Sequence, residues 1–414
     1  MTISEMATYA ITFLAVYIQV FFLITFIERR KELLSDKEEP KKLTHYPSLT
    51  VIMPCWNEET TVHGTIDSLL HLDYPKDKLK IIVVDDGSTD TTWQEISKYE
   101  GHPQIKIYHK ENGGKHTALN LGLEKADTDF IACLDADSFV APDALLRIMP
   151  YFDNPLTMSV APAAVIHQPK TLVQSAQRID YFMSAFIKKM LGLMSALHVT
   201  PGTLPVYRKE VFEKLGGFRK AYNTEDGEIA LRMQANNMKI DYCPDAIVYT
   251  IGPNTVKKLF HQRVRWTYGF FRNLMDYRHL FFRKQFGNLA FFTLPAALLS
   301  MLSAVYLFGM AIANITKYII QKVIYYRTVG FTLHGGPHFT FDWFYLNTKT
   351  TFFIIIMLYL MVVLTMILGR RLVERKTTFS LHILTYMLLY SIVAPFWLLK
   401  SVYNVVRRKQ ISWR

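Results

Sequence analysis

The chain has 414 residues, of which half are hydrophobic and 20% are charged. Its 47 Lys and Arg outnumber its 35 Asp and Glu, so the formal net charge at pH 7 is +12. This charged fraction and a mean hydropathy of +0.11 exclude a disordered chain and indicate a soluble domain joined to membrane segments. Three cysteines in a chain of this length exclude a disulfide scaffold.

Four stretches without a charged residue are long enough to cross a bilayer, which takes about 20 residues. They cover residues 7–27, 285–316, 351–369 and 379–399. The basic triplet Arg29, Arg30 and Lys31 follows the first stretch directly. By the positive-inside rule, we expect the N-terminus outside the cell and the chain after residue 28 in the cytoplasm. The sequence therefore predicts a multi-pass protein of the cell membrane.

The orientation of the C-terminal stretches is left open by the charges. A single span over 285–316 puts residues 317–350 outside and the basic segment 370–376 inside, but it leaves the basic residues 407–409 outside. Two spans over 285–325 instead put residues 370–376 outside and residues 407–409 inside. A re-entrant or interfacial last segment is a third option. We favour the single span. The expected organisation is a spanning helix in residues 1–30, a cytoplasmic domain in 31–285 and a membrane region in 286–414.

Short apolar runs alternate with helical stretches in the predicted cytoplasmic domain. The runs cover residues 49–53, 80–84, 105–108 and 130–134, and turn-forming residues bound each of them. Strands that alternate with helices predict an α/β domain with a mainly parallel sheet and flanking helices. Ligands of such domains usually bind at the carboxyl ends of the strands.

Two later segments, residues 171–197 and 254–284, have the pattern of amphipathic helices. The second carries eight Lys or Arg against one acid between residues 257 and 284. Basic amphipathic helices often lie on anionic membrane surfaces, so we predict interfacial helices here, with helices packed on their own domain as the alternative. Because the excess basic residues lie beside the apolar stretches, they indicate a membrane surface rather than nucleic acid.

Acidic pairs follow two of the predicted strands. Asp85 and Asp86, in V-V-D-D-G, can accept hydrogen bonds from a base and a ribose, or form an Asx turn before the next helix. Asp135 and Asp137, in D-A-D, can bind Mg²⁺ or Mn²⁺, which would neutralise a leaving diphosphate. A solvated loop is the alternative for the second pair.

A third acidic group, Thr224-Glu225-Asp226, precedes a helix predicted over residues 227–236. In this position Asp226 can remove a proton from a hydroxyl nucleophile. The alternative is a helix N-terminus, with Thr224 as the cap and the acids favoured by the helix dipole.

The segment Q-R-V-R-W places Gln262, Arg265 and Trp266 three and four residues apart, so they share one helix face. They offer hydrogen bonds, a phosphate partner and a stacking surface. An interfacial belt of aromatic and basic residues is the alternative. The sequence has no P-loop and no G-x-G-x-x-G dinucleotide motif.

The motifs D-D-G, D-A-D, T-E-D and Q-R-V-R-W, in this order, resemble those of the processive family 2 glycosyltransferases. That group includes the poly-N-acetylglucosamine, chitin, hyaluronan and cellulose synthases. The resemblance covers residues 48–285, and it implies a GT-A fold and an inverting transfer from a nucleotide sugar.

The resemblance also implies roles for individual residues. Pro54, Asn57 and Glu58 match the P-x-x-N-E segment at the nucleotide site of that family. Lys115 resembles the lysine of its G-K-x-x-A-L-N segment near the donor. Asp86 is then the acid that contacts the base or ribose, with Asp85 beside it, and Asp135 and Asp137 bind the donor and the metal. Asp226 is the general base. The residues at the diphosphate and the acceptor are Glu225, Gln262, Arg265 and Trp266.

We therefore expect a membrane-embedded enzyme that polymerises a UDP-sugar, with UDP-N-acetylglucosamine as the first choice, and exports a β-linked polysaccharide. Its expected partners are the UDP-sugar, the growing polysaccharide, Mg²⁺ or Mn²⁺ and the lipid bilayer, with any export or accessory subunit unidentified. The alternatives are a single transfer onto a lipid carrier or glycolipid, and a non-catalytic polysaccharide-export subunit.

Overall fold

The computed structural model describes residues 3–34, 43–330 and 350–409. The described strands are β1 Leu49–Cys55, β2 Leu79–Asp85, β3 Ile105–His109, β4 Phe130–Leu134, β5 Ser138–Val140, β6 Thr157–Ile166, β7 Thr203–Arg208 and β8 Lys239–Thr250. The described α-helices are α1 Ile3–Leu33, α2 Val62–Leu70, α3 Thr92–Ser97, α4 Lys115–Lys125, α5 Ala144–Ile148, α6 Leu172–Leu193, α7 Glu210–Leu215, α8 Glu225–Ala235, α9 Val256–Asp276, α10 Leu294–Val329, α11 Thr350–Glu374 and α12 His382–Val406.

The strands form one sheet in the order β3-β2-β1-β4-β7-β6-β8-β5. The half from β3 to β4 is parallel, β6 also pairs with β8 in parallel, and the pairs β4–β7, β6–β7 and β5–β8 are antiparallel. The predicted mainly parallel sheet is confirmed. The four predicted strands are also present, with the first three extended by one or two residues.

Both faces of the sheet are covered, which explains why the central strands β1, β2 and β4 are mostly apolar and buried along almost their whole length. On β1, Val51 and Met53 pack on one face in a cluster with α2, α3 and α5, while Ile52 packs on the other face with α4, α6 and α8. This second cluster continues into α1 and α11, so the soluble domain and the membrane helices share one hydrophobic core.

Four described helical segments are long and apolar enough to cross a membrane. They are α1, α11, α12 and the segment Leu289–Val329, which contains α10. Because α10 continues without a break to Val329, the alternative of two spans within 285–325 is wrong. The expected outside segment 317–350 begins as helix, and its residues 331–349 lie outside the described part of the chain, as do residues 35–42. The orientation of the four helices remains a prediction.

Helix α6 joins the sheet to the membrane helices. It packs on β6 and β8 on one side and on α11 and α12 on the other. Arg178 of α6 pairs with Glu374 at the end of α11, which also accepts from Arg370 Nε at 3.0 Å. The predicted amphipathic helices at 171–197 and 254–284 are present as α6 and α9, and their location at a membrane surface remains a prediction.

The contact between α6 and α11 requires a glycine. A Cβ atom at Gly369 would overlap the backbone carbonyl of Phe182, which cannot move aside as a side chain can. We therefore expect Gly369→Ala to lower the free energy of unfolding by about 1–3 kcal/mol, the usual range for overpacking. Thermal unfolding of the purified protein in detergent measures the effect.

Gly309→Ala in α10 is the matched control, because a Cβ atom there meets no atom within 4 Å. Alanine also has the higher helix propensity, so this variant should unfold at the same temperature or above. Equal unfolding temperatures for the two variants would contradict the packing described for α6 and α11.

Candidate functional site

A cavity of about 1470 Å³ opens at the carboxyl ends of β1, β2 and β4 and extends along α6, α8, α9 and α12. Most of the residues predicted from the motifs line it. They are Pro54, Glu58, Asp86, Lys115, Asp135, Asp137, Glu225, Asp226, Gln262, Arg265 and Trp266. Segments that lie more than 200 residues apart in the sequence thus face one space.

Asp86 organises the loop before α4. Its carboxylate accepts hydrogen bonds from the backbone N–H groups of Gly113 at 3.1 Å and Gly114 at 2.8 Å, and it pairs with Lys110 Nζ at 2.6 Å. Asp86 lines the cavity although it is only 2% exposed. Its carboxylate therefore fixes the segment that begins α4, while a contact with a base or ribose stays a prediction.

Asp85 and Asn57 are the two predicted residues that do not line the cavity. Asp85 is fully buried and accepts from Ser88 N at 3.3 Å and from His109 Nδ1 at 2.7 Å. Asn57 Oδ1 accepts from the backbone N–H of Thr89 at 2.8 Å. Both side chains hold the turn after β2, as in the alternative interpretation of this motif, so this geometry does not favour direct donor contact by either one.

Lys115 is the first residue of α4 and joins two acidic motifs. Its Nζ lies 2.6 Å from Asp135 Oδ1 and 3.2 Å from Glu225 Oε1. Burial alone would lower the pKa of Lys115, but the carboxylates of Asp135, Glu225 and Asp226 raise it above its ordinary value. The side chain is therefore a permanent cation among the acids.

The Asp135 and Asp137 pair lies at the end of β4. The backbone N–H of Asp135 donates to Gly202 O at 2.9 Å, and a Cβ atom at Gly202 would come within 2.7 Å of both Asp135 carboxylate oxygens. Burial and the nearby charges of Asp135 and Glu58 raise the pKa of Asp137 to about 7. A side chain at residue 202 would thus displace the Asp135 carboxylate, and negative charge accumulates around Asp137.

Asp135 and Asp137 are suitable as two of the ligands of a hard divalent cation. Among residues 3–34, 43–330 and 350–409, no group of three or more His, Cys, Asp or Glu side chains has metal-site geometry. Mg²⁺ and Mn²⁺ sites that act on phosphates often have only one or two carboxylates, with phosphate oxygens and water completing the shell. Two carboxylates in a region of surplus negative charge match that chemistry.

Asp226 lies in the first turn of α8, beside Glu225. Its Oδ1 accepts from the backbone N–H of Gly227 at 2.9 Å. Burial, then the charge of Glu225, raise the pKa of Asp226 to about 6, and Lys115 opposes this rise. A carboxyl group with a pKa near neutrality is suited to accept a proton from a hydroxyl.

The alternative interpretation of this motif also fits the structure, because Thr224 is the N-cap residue of α8 and Glu225 and Asp226 lie in its first turn. The helix begins at Glu225 rather than at residue 227, and the Thr224 hydroxyl donates to Ala221 O at 2.9 Å, so its side chain makes no capping hydrogen bond. The preceding residues Ala221, Tyr222 and Asn223 all have positive φ, from 41° to 62°. Three adjacent non-glycine residues in this region indicate a turn that the surrounding structure holds in place.

Helix α9 supplies that support. Arg265 Nη1 donates to Asn223 O at 3.1 Å, and Arg272 donates to the Tyr222 hydroxyl at 3.2 Å. The predicted face of Gln262, Arg265 and Trp266 lines the cavity. Arg265 therefore also fixes the turn that precedes Asp226.

Sequence reasoning missed Arg263, which pairs with Asp180 of α6 at 2.5 Å and donates to the Tyr390 hydroxyl of α12 at 3.2 Å. Its guanidinium also lies 4.7 Å from the ring centre of Trp266. The three-residue spacing between Arg263 and Trp266 on one helix indicates the contact between these two side chains. The partners on α6 and α12 lie 83 and 127 residues away, so no local pattern indicates them.

Comparison with known proteins agrees with this geometry. Residues 50–216 match the family model Glycosyl transferase family 2. The mannosyltransferase PcManGT from Pyrobaculum calidifontis, solved in complex with GDP-Man and Mn²⁺, has the same fold, with a TM-score of 0.52 at 19% identity over 96% of this chain and 99% of that one. The chain is thus similar to family 2 glycosyltransferases over residues 50–216, and its described residues have a GT-A-like fold with four long apolar helices.

Part of the chain is also similar to synthases of N-acetylglucosamine polymers. The poly-β-1,6-N-acetyl-D-glucosamine synthase of Staphylococcus epidermidis is 30% identical over 224 residues, which is 53% of this chain and 54% of the relative. That of Staphylococcus aureus strain COL is 28% identical over 260 residues, 62% of this chain and 63% of the relative. The chain therefore spans between about half and two thirds of the length of these relatives.

Replacement of Asp226 tests its assignment as the base. We expect Asp226→Asn to lower kcat for sugar transfer by about 10²–10⁴-fold, because the amide cannot accept the proton. In the unmodified protein, kcat should fall below pH 6, about tenfold for each pH unit, as the Asp226 carboxylate becomes protonated. Release of free nucleotide, measured against pH, gives both results.

Asp127→Asn is the matched control for this substitution. Asp127 pairs with Lys80 at 2.7 Å on the surface and does not line the cavity. It should leave kcat and its pH profile unchanged. An Asp226→Asn variant that keeps more than a tenth of the rate would show that another group accepts the proton.

Proposed function

We propose that this protein is a membrane-embedded, inverting β-glycosyltransferase that polymerises a UDP-sugar and passes the product through the membrane. UDP-N-acetylglucosamine is the first candidate donor, because the relatives named above are poly-β-1,6-N-acetyl-D-glucosamine synthases. The observation that carries the proposal is the cavity, whose lining includes Asp86 and Asp135 as well as Lys400 and Asn404 of α12.

The donor lies at the carboxyl edge of the sheet in this proposal. Pro54, Glu58 and Asp86 border the nucleotide, and Asp135 with Asp137 hold Mg²⁺ or Mn²⁺. When bound, this cation neutralises charge that develops on the leaving diphosphate. Lys115 and Arg265 add fixed positive charge on the protein side.

The acceptor hydroxyl approaches from the side of α8. Asp226 accepts its proton while the hydroxyl oxygen forms a bond to the anomeric carbon and the bond to the diphosphate breaks. A diphosphate needs charge compensation rather than a proton to leave, so one base suffices. Attack opposite the leaving group inverts the configuration, and an α-linked donor gives a β-linked product.

The product leaves along the membrane helices. Helix α9, which borders the diphosphate, packs on α12, and the Ser401 hydroxyl of α12 donates to Val264 O of α9 at 3.2 Å. The transfer site is therefore held directly against a helix long and apolar enough to cross the bilayer. A polymer that grows at Asp226 has a path beside α12 without leaving the protein.

A second candidate function is a single transfer onto a lipid carrier or glycolipid. It is favoured by the same lining residues of α12, since a lipid-borne acceptor would enter the cavity next to a helix long enough to cross the bilayer. The two functions differ in product length.

The experiment uses the purified full chain with radiolabelled UDP-glucose, UDP-N-acetylglucosamine and UDP-glucuronate, with and without Mg²⁺ or Mn²⁺. We expect metal-dependent UDP release with UDP-N-acetylglucosamine and a product of many sugars by size-exclusion chromatography. Asp137→Asn should raise the metal concentration needed for half-maximal rate by at least about tenfold, because it removes a charged ligand; Asp127→Asn should not.

A product that carries one sugar and extracts into organic solvent would replace polymerisation with lipid transfer. Absence of UDP release with all three donors would overturn the proposal as a whole.

A further inference from the structure

Helix α6 presents three polar side chains to the cavity. Tyr181, Ser184 and Lys188 lie three and four residues apart, which places them on one face of the helix, and all three line the cavity. At 1.5 Å per residue, this stripe is about 10 Å long. In the part of the chain that the structure describes, none of the three side chains makes a hydrogen bond or an ion pair.

Lys188 differs from the neighbouring Lys189 in its contacts. Lys189 is 6% exposed, and its Nζ donates to the Tyr151 hydroxyl at 3.0 Å and to Tyr242 O at 3.1 Å. Lys189 therefore fastens α6 to the rest of the soluble domain. Lys188 points into the cavity instead, where its three N–H donors have no protein acceptor among the described residues.

The charges around Lys188 define what it can bind. The charged groups that act on it are Asp226, Asp180 and Arg263, so two positive charges face two negative ones. Burial lowers the pKa of Lys188 to about 8, so the side chain is still mostly protonated at pH 7. A neutral surrounding offers no surplus attraction for a phosphate, whereas an unpaired ammonium and two hydroxyls are suitable donors to uncharged oxygens.

We infer that Tyr181, Ser184 and Lys188 form the acceptor subsite, which binds a neutral carbohydrate through its hydroxyl and amide oxygens. Lys188 is the member that faces Asp226, so it holds the sugar whose hydroxyl loses the proton. Ser184 and Tyr181 contact the acceptor further along α6. This assignment rests on the proposed function, and it makes the three residues binding groups that select the acceptor.

Direct binding tests the subsite without turnover. A β-linked N-acetylglucosamine tetrasaccharide is titrated into the full chain in nanodiscs, in the presence of UDP, and followed by isothermal calorimetry. We expect Lys188→Met to weaken tetrasaccharide binding about tenfold or more, because it removes a charged hydrogen-bond donor and keeps the volume. UDP affinity and the unfolding temperature should not change, and Lys188→Arg should restore part of the affinity.

Lys189→Met is the matched control on the same helix. It removes the contacts to Tyr151 and Tyr242, so it should lower the unfolding temperature, while the folded protein binds the tetrasaccharide within twofold of the unmodified chain. Ser184→Ala and Tyr181→Phe should each weaken tetrasaccharide binding a few-fold.

Three results would overturn the subsite: unchanged tetrasaccharide binding in Lys188→Met, no tetrasaccharide binding by the unmodified protein, or an equal loss of UDP binding in the variant. A polyprenyl phosphate whose binding depends on Lys188, when tetrasaccharide binding does not, would assign this residue to an anionic lipid instead. If tetrasaccharide binding depends on Lys188 but no UDP-sugar is ever transferred, the subsite stands and the proposed function fails.

Discussion

A single ammonium group, Nζ of Lys115, holds the acidic motifs of this protein together. It lies within 3.2 Å of carboxylates from Asp135 at the end of β4 and from Glu225 at the start of α8, segments that are 90 residues apart in the chain. Carboxylates gathered at one edge of a sheet repel one another, and each would take up protons unless a cation offset the charge. Lys115 supplies that cation at the place where the acids converge.

The position of Lys115 is itself fixed by an acid. Asp86 receives the backbone N–H groups of Gly113 and Gly114 and thereby holds the residues just before α4. The aspartate after β2 therefore acts on the aspartate after β4 through the helix between them. Replacing Asp86 therefore removes two functions, because it displaces Lys115 as well as any ligand contact of Asp86 itself.

A second cation connects the helices that line the cavity. Arg263 of α9 contacts Asp180 of α6 and Tyr390 of α12, so three helices that line the cavity meet at one side chain. Both partners of the ion pair are largely shielded from solvent, and removing one of them leaves the other charge uncompensated, which is unfavourable. The transfer site and the membrane helices therefore form one connected unit, consistent with a core that continues from the sheet into α1 and α11.

The sequence was sufficient for features that depend on neighbouring residues. The strands before Asp86 and Asp135 are continuous apolar runs, and their carboxyl ends meet because the strands are parallel. Side-chain alternation also accounts for the different positions of Asp85 and Asp86. Both are buried, but adjacent residues point to opposite sides, so Asp86 lines the cavity and Asp85 does not. The motifs did not distinguish the two, although this alternation could have done so.

Other features depend on contacts that no local pattern contains. Gly202 is needed because Asp135 lies against it, and the partners of Arg263 come from α6 and α12. The helical spacing of apolar residues in 171–197 predicts the packed face of α6. It does not indicate the polar residues Tyr181, Ser184 and Lys188 on the face that lines the cavity. Such pairings arise only when the chain has folded, because they join segments tens to hundreds of residues apart.

The central claim is that acids from three separate motifs surround one donor. The most direct test is an experimental structure of the full chain with UDP-N-acetylglucosamine and Mn²⁺, using Asp226→Asn to prevent turnover. We predict density for the diphosphate and the cation at Asp135 and Asp137, with the anomeric carbon facing residue 226. A nucleotide bound elsewhere, with the cavity empty, would contradict the account.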